Sequence, residues 1–282
     1  MCRLLFKAYA SHCAEMSKVE VWGLNGNTTE CQSHTVAALR CYIETENGIQ
    51  KHRQQLYRNA PLKNGRPPRE DDYEPDELTD DTTVLSNGDT IVMVVKPEEW
   101  EAYAPELVDV SEHGQLVTQK AGGQWSLTTL GGQYTTGVHY WEFELVANTY
   151  LLHVGVYGVH ADLRGMSAYT HETPWWCIFT STGSLMGEGA FRSNADTFTQ
   201  AERDCEDFHP GYTEGDRIGV LLNLDDGSLL FFKNGVKHGV GFPAGNVKGP
   251  VTVGVEMFYA EEHHPSAVRI VPHPDWPVGY TP

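Results

Sequence analysis

GDRIGVLLNLDDGSLLFFKNGVKHGVGF, residues Gly215 to Phe242, holds two hairpin signals in one run. Asp226-Gly227 and Asn234-Gly235 both offer the positive φ angles that two-residue type I′ turns require. With Asp226-Gly227 as the loop, Leu224 faces Leu229, Leu222 faces Phe231 and Leu221 faces Phe232. Apolar side chains then occupy both faces of the ribbon. That is the pattern of central strands covered on two sides, not of a sheet edge.

Working outward, Trp141, Phe143 and Leu145 alternate with Tyr140, Glu142 and Glu144, the period of a half-buried strand with tryptophan on the core side. Leu152 to Gly158, Trp176 to Thr180, Arg217 to Leu224, Ser228 to Lys233 and Val251 to Phe258 continue a series of short strands punctuated by glycine. Strands at this spacing predict an antiparallel β-sandwich.

The Gly215 to Phe242 stretch resembles the signature of the SPRY domain family: a GD-x-IG strand, an aspartate-glycine turn, an L-x-F-x-NG strand and a closing G-x-x-F. Thr136 to Leu145, TGVHYWEFEL, resembles the family's earlier motif, a small-residue turn followed by YWE. Trp175 to Gly183 and Val251 to Phe258 fall where the family has its next strands, so the resemblance spans roughly Glu106 to Pro274. It implies an all-β SPRY-type sandwich over residues 112–274, followed by a tail at 275–282. It also implies a shallow surface, built from loops at one end, that takes a short peptide or another protein's loop. The corresponding loops are Gly158 to Pro174, Phe191 to Tyr212 and Phe258 to Ser266. Tyr134, Tyr169, Trp175 and Tyr259 are the expected aromatic anchors, because aromatic side chains dominate the energetics of small interfaces. His171 and His263 lie beside them in the same loops. Trp175 and Trp176 are adjacent, so in a strand one points each way, and both packing and binding are open to Trp175.

The first third of the chain has another character. Arg3 to Ala10 and Val19 to Leu24 read as two strands. TVAALRCYIETENG, from Thr35, places Val36, Leu39 and Ile43 on one helical stripe, with Thr35 as N-cap and Gly48 as the C′ residue. Gly48-Ile49 and Gln54-Gln55-Leu56-Tyr57 follow, then the long strand in LSNGDTIVMVVK, Leu85 to Lys96. This chain order and the helix ending before Gln-Gln-Leu resemble the ubiquitin family. The resemblance implies an α+β, β-grasp, ubiquitin-like domain over residues 1–97. It further implies an apolar face at Tyr57, Val92 and Val94, flanked by Arg58, with a tyrosine at the patch centre where the family has an aliphatic residue. Two departures are plain. Lys96 runs on into Pro97-Glu98-Glu99-Trp100, so nothing here forms a conjugatable C-terminus. Residues 66–81 insert an acidic, proline-bearing segment that reads as a solvated loop. Residues 98–111 read as a short connection, with Trp100 and Tyr103 packed against a domain.

Among 282 residues there are 38 acidic and 20 basic side chains, a formal charge of −18. Residues 1–97 carry 11 basic and 14 acidic groups and the remainder 9 and 24, net −3 and −15. This charge repels phosphate backbones and anionic membranes, which excludes nucleic acid and membrane as expected partners. It favours a basic or neutral client. The six cysteines include no Cys-x-x-Cys pair, which reads as scattered free thiols in the cytoplasm. No stretch approaches the ~20 apolar residues of a membrane span.

No catalytic or metal-binding pattern emerges. The thirteen histidines form no His-Glu-x-x-His motif and no zinc-spaced Cys/His pair. Gly122-Gly123 and Gly131-Gly132 lack a following Gly-Lys-Ser/Thr, so no phosphate cradle and no cofactor are expected. Asp225-Asp226 sits at a wet hairpin tip, which does not suit a catalytic carboxylate pair. The expectation is therefore a non-enzymatic protein–protein interaction adaptor. It would hold a client on its SPRY-like loops and dock on ubiquitin-pathway machinery through its first domain. The alternatives are a structural subunit of a cytoskeletal or other multiprotein assembly, and a ubiquitin-ligase component, which would need clustered zinc cysteines that the chain lacks.

Overall fold

The computed structural model describes residues 3–10, 17–22, 28–32, 35–47, 51–58, 76–85, 90–95, 98–120, 124–147, 150–159, 174–187, 190–258, 264–272 and 274–280. The chain forms two compact units, Met1–Pro97 and Glu98–Pro282.

In the first unit, β1 (Arg3–Ala10), β2 (Ser17–Trp22) and β3 (Thr28–Gln32) precede a helix, α1 (Val36–Asn47). After it come β4 (Gln54–Arg58), β5 (Asp76–Glu77) and β6 (Thr90–Val95). The sheet order is β3-β2-β1-β6-β4-β5, with β6 antiparallel to both β1 and β4. Thr35 caps the helix as expected, its hydroxyl accepting from the Ala38 amide at 3.2 Å. The predicted stripe of Val36, Leu39 and Ile43 is fully buried. Arg40 ties the helix to its neighbours, donating to the carbonyls of Gln54 and Leu78 and pairing with Asp81 at 3.0 Å.

Two expectations are corrected in this unit. Thr28–Gln32, TTECQ, was not an expected strand because it has no apolar alternation. It pairs with β2 at the sheet edge, where backbone hydrogen bonds suffice. The acidic 66–81 segment is not loop throughout. Asp76–Glu77 pair with Arg58 and Tyr57, and Leu78 is buried. Residues 59–75 and Gly48 lie outside the described residues.

The second unit begins with β7 (Glu101–Ala102), β8 (Val108–Ser111), β9 (Leu116–Gln119), β10 (Trp125–Thr129) and β11 (Val138–Ala147). It continues through β12 (Leu152–Gly158), β13 (Trp175–Phe179), β14 (Ser184–Gly187) and β15 (Ala190–Phe191). Two single-turn helices, α2 (Asn194–Thr197) and α3 (Gln200–Arg203), lead to β16 (Arg217–Asn223), β17 (Ser228–Lys233), β18 (Val236–Lys237), β19 (Val251–Phe258) and β20 (Ala267–Ile270). These strands make two antiparallel seven-stranded sheets, β15-β14-β13-β12-β19-β10-β7 and β18-β17-β16-β11-β20-β9-β8. The expected antiparallel sandwich is present. Between the sheets, Trp141, Phe143, Ile218, Val220, Leu222 and Phe231 meet Val154, Val156, Trp176, Val253, Val255 and Met257 in one buried core.

The opening ribbon lies where its two apolar faces required, with β16 interior and β17 next to a two-residue edge strand. Its register differs from the expected one. Asn223 pairs with Ser228, so Leu222 faces Leu229 and Val220 faces Phe231 across a four-residue turn. Asn223 forces the longer turn, its side-chain oxygen accepting from the amides of Asp225 and Asp226 while Gly227 alone takes positive φ, at 75°. Each pairing has slipped by two residues, so no side chain changes face. The second turn is as expected: Asn234 and Gly235 have φ of 51° and 79° between the paired Lys233 and Val236.

The outer apolar face of the ribbon is covered by the end of the chain. Tyr280 lies 5.4 Å from Phe232 and Trp276 5.9 Å from Tyr140 between ring centres, so residues 275–280 pack on the sheet instead of trailing from it. Residues 98–111 likewise belong to the second unit. Trp100 is buried as expected, stacked on Phe143 at 5.4 Å with its indole nitrogen donating to the Gln115 carbonyl, and β7 and β8 extend one sheet each.

Candidate protein-binding surface

The expected anchors scatter. Tyr134 is 2% exposed and packs edge-on against Trp141 at 4.8 Å, inside the core. Trp175 is 4% exposed on the outer face of its sheet, among Leu127, Tyr157, Cys177 and Met186, while Trp176 enters the core. The two tryptophans do point opposite ways, and both are buried, Trp176 by the core and Trp175 by a second apolar layer. Tyr169, His171, Tyr259 and His263 lie outside the described residues. In the first unit the backbone register puts Tyr57 opposite Val92, with Val94 two residues along the same strand.

Of the three expected loops, residues 191–212 are described throughout, and they border a depression of about 720 Å³. The other wall is the β17–β18 hairpin. The loop is organised by a capping box. The Thr199 hydroxyl accepts from the Glu202 amide at 3.3 Å, and the Glu202 carboxylate accepts from the Thr199 amide at 2.6 Å. This starts α3 and turns Phe198 inward, where it is 3% exposed and meets Phe208 at 5.1 Å and His238 at 4.9 Å, both edge-on. His238 also meets Tyr212 at 4.9 Å, and its Nε2, 2.8 Å from the Pro210 carbonyl, donates to it. Lys233 fastens the same turn, donating to the Gly211 carbonyl at 2.7 Å and pairing with Asp216 at 3.2 Å. The floor is thus an aromatic cluster bolted to two carbonyls. The sequence signalled the loop's length but not Phe198, Phe208 or His238, because none of them shows a strand or helix period.

Electrostatics differ between floor and rim. Burial pushes the His238 imidazole below its ordinary value, against the pull of the Pro210 carbonyl. Burial works to raise the Glu202 carboxyl, but the hydrogen bonds from Thr199 outweigh it and keep the group below the usual carboxylate range. A pH dependence follows from His238. Above its ordinary pKa of about 6.5 the ring is neutral in both folded and unfolded chains. As pH falls from there through the lowered folded-state value, the unfolded chain binds the proton first and stability is lost. His238→Gln should therefore flatten the fall in stability between about pH 7 and 5 in urea titrations. A slope unchanged by the substitution would contradict this assignment.

On the outer face of the first sheet, His153 and Glu256 form a fully buried pair, Nδ1 to carboxylate oxygen 3.0 Å. Trp125 stacks on the imidazole at 4.8 Å with the planes 5° apart, and Phe179 closes in at 5.0 Å. The nearby Cys177 thiol is fully buried, and burial pushes its pKa well up, so it stays protonated and a poor nucleophile. Among the described residues no group of three or more His, Cys, Asp or Glu side chains could hold a metal ion. Nor, among them, is any helix long and apolar enough to cross a membrane.

The family model of the SPRY domain matches residues 138–254. That span runs from the first residue of β11 into β19 and includes the ribbon, so the second unit carries a SPRY domain. Similar solved structures include the SPRY domain of human HERC1, at 21% identity over 64% of this chain and 98% of that one, TM-score 0.45. A human SPRY domain aligns at 16% identity over 62% of this chain and 98% of that one, TM-score 0.42. The TRIM65 PSpry domain aligns at 14% identity over 62% and 90%, TM-score 0.43. No curated protein matches the sequence.

Proposed function

We propose that this protein is a non-enzymatic, cytoplasmic interaction adaptor that holds a protein client on the loops of its SPRY domain. The observation that carries the reading is the SPRY match over residues 138–254, on a two-sheet sandwich with one large apolar core between its sheets. A rigid sandwich with long loops suits recognition, because the scaffold holds the loops at low entropic cost. The free thiols of Cys177 and Cys205 fit a reducing compartment. The first unit acts as a ubiquitin-like docking module on ubiquitin-pathway machinery. Its support is the chain order of three strands, a capped helix, β4, β5 and the interior strand β6, together with the Tyr57–Val92 pairing.

Affinity purification of the full chain followed by mass spectrometry tests the division of labour. Tyr169→Ala with Tyr259→Ala should deplete the client about tenfold while leaving pathway components bound, as aromatic anchors carry most interface energy. Tyr57→Ala with Val94→Ala should do the reverse. Loss of the client on the second pair alone would move the recognition surface to the first unit.

A further inference from the structure

We propose that the depression between the 191–212 loop and the β17–β18 hairpin seats a basic linear segment of a partner protein, one large apolar side chain of which enters against Phe208 and Val236. The inference rests on reading the sandwich loops as the client surface, and deepens it by naming the partner's chemistry.

Three observations converge. First, the site offers uncovered apolar surface: Val236, in its wall, is 70% exposed. Phe208, also in the lining, is half-buried against Phe198. A volume of about 720 Å³ accommodates a large side chain with its flanking backbone. Second, the turn that forms one wall is acidic. Glu202 and Asp207 line the depression, and Asp204 and Glu206 are exposed beside them in the turn that follows α3. Third, two of the neighbouring cations are already engaged. Lys233 is held by Asp216 and Gly211, and Arg203 donates to the Phe198 carbonyl and to Gln200. Lys237 is exposed at the rim, where the exposed Asp204, Glu206 and Asp207 of the adjoining turn outnumber it, on a unit that carries net −15. A segment bearing Lys or Arg on each side of its apolar residue is complementary in both respects, and an acidic one would meet like charge before contact.

The floor is pre-formed. The capping box fixes the wall, and the Pro210 and Gly211 carbonyls are bonded to His238 and Lys233, so little ordering remains to oppose binding.

Fluorescence anisotropy on the full-length protein tests this with three fluorescein-labelled 12-residue peptide pools. One has Lys or Arg flanking a central Leu, Phe or Trp, one has Glu in place of the basic residues, and one is basic with Ser at the centre. The basic apolar pool should bind at least about tenfold more tightly than either other pool. Its association should weaken as salt rises, since screening acts over about 8 to 10 Å at physiological ionic strength. Glu206→Lys with Asp207→Lys should remove that salt dependence, and Phe208→Ala should cost about tenfold in affinity with the salt dependence retained. Val236→Ser, on the exposed two-residue edge strand β18, should weaken binding in the same direction. Equal binding of basic and acidic pools, or basic-pool binding untouched by Phe208→Ala and Val236→Ser, overturns the proposal. If that occurs while Tyr169→Ala with Tyr259→Ala still depletes the client, the adaptor reading stands and only the placement of a basic segment in this depression falls.

Discussion

Phe231→Ala is expected to cost about 3 to 5 kcal/mol, the range for emptying a fully buried aromatic site. Phe231 has no exposed surface, sits on the inner face of β17 and meets Phe242 edge-on at 6.4 Å. Its neighbours are fixed by the strand ladder, as Phe231 pairs with Val220, and Leu229 exchanges two backbone hydrogen bonds with Phe242. The backbone therefore cannot collapse into the cavity, which places the cost toward the upper part of the range. Six of the seven tryptophans lie in the second unit, so intrinsic fluorescence in a urea titration reports this loss selectively. A loss below about 1 kcal/mol would mean that the ribbon is not packed between the two sheets.

That ribbon also shows what could be read from the sequence. Its central position followed from apolar residues on both faces, because a buried sheet is the environment that rewards them. What covered the outer face was not legible: Trp276 and Tyr280 come from a terminal segment with no period of its own. The turn is longer than its sequence signal for a local reason. Asp-Gly is a strong two-residue turn signal, but Asn223 intercepts the amides of Asp225 and Asp226 and lengthens the loop to four. Strand alternation predicted that Trp175 and Trp176 would diverge, yet not that both would be buried, since the layer over Trp175 is built from residues far apart in the chain. The candidate site was legible only as loop length. Its floor residues Phe198, Phe208 and His238 are brought together by one capping box and two side chain-to-carbonyl hydrogen bonds, which leave little trace in a linear pattern.

Gly155→Ala is expected to cost about 3 kcal/mol, at the top of the ordinary range for overpacking, although it adds a single methyl group. A Cβ at Gly155 would lie 2.2 Å from the Trp176 carbonyl oxygen and 2.7 Å from the Cys177 Cα. Both are backbone atoms of the neighbouring strand, so no side-chain rotation relieves the contact and β12 must part from β13. On its other side Gly155 pairs with Gly254, whose own Cβ would meet the Thr128 carbonyl oxygen at 2.5 Å. Two glycines abreast thus let β13, β12, β19 and β10 approach closely beside the buried His153–Glu256 pair. On the proposed adaptor reading the same strands feed function, because β12 leads into residues 159–174 and β19 into residues 259–266. Gly155→Ala should therefore deplete the client even under conditions where the unit remains folded, by altering the spacing from which both loops spring. Val154→Ala, which empties the core side of the same strand without forcing it from its neighbour, should lower stability by about 1 to 3 kcal/mol and leave client capture intact. Equal loss of capture in the two variants, matched at equal folded fraction, would show that the glycine pair serves packing alone.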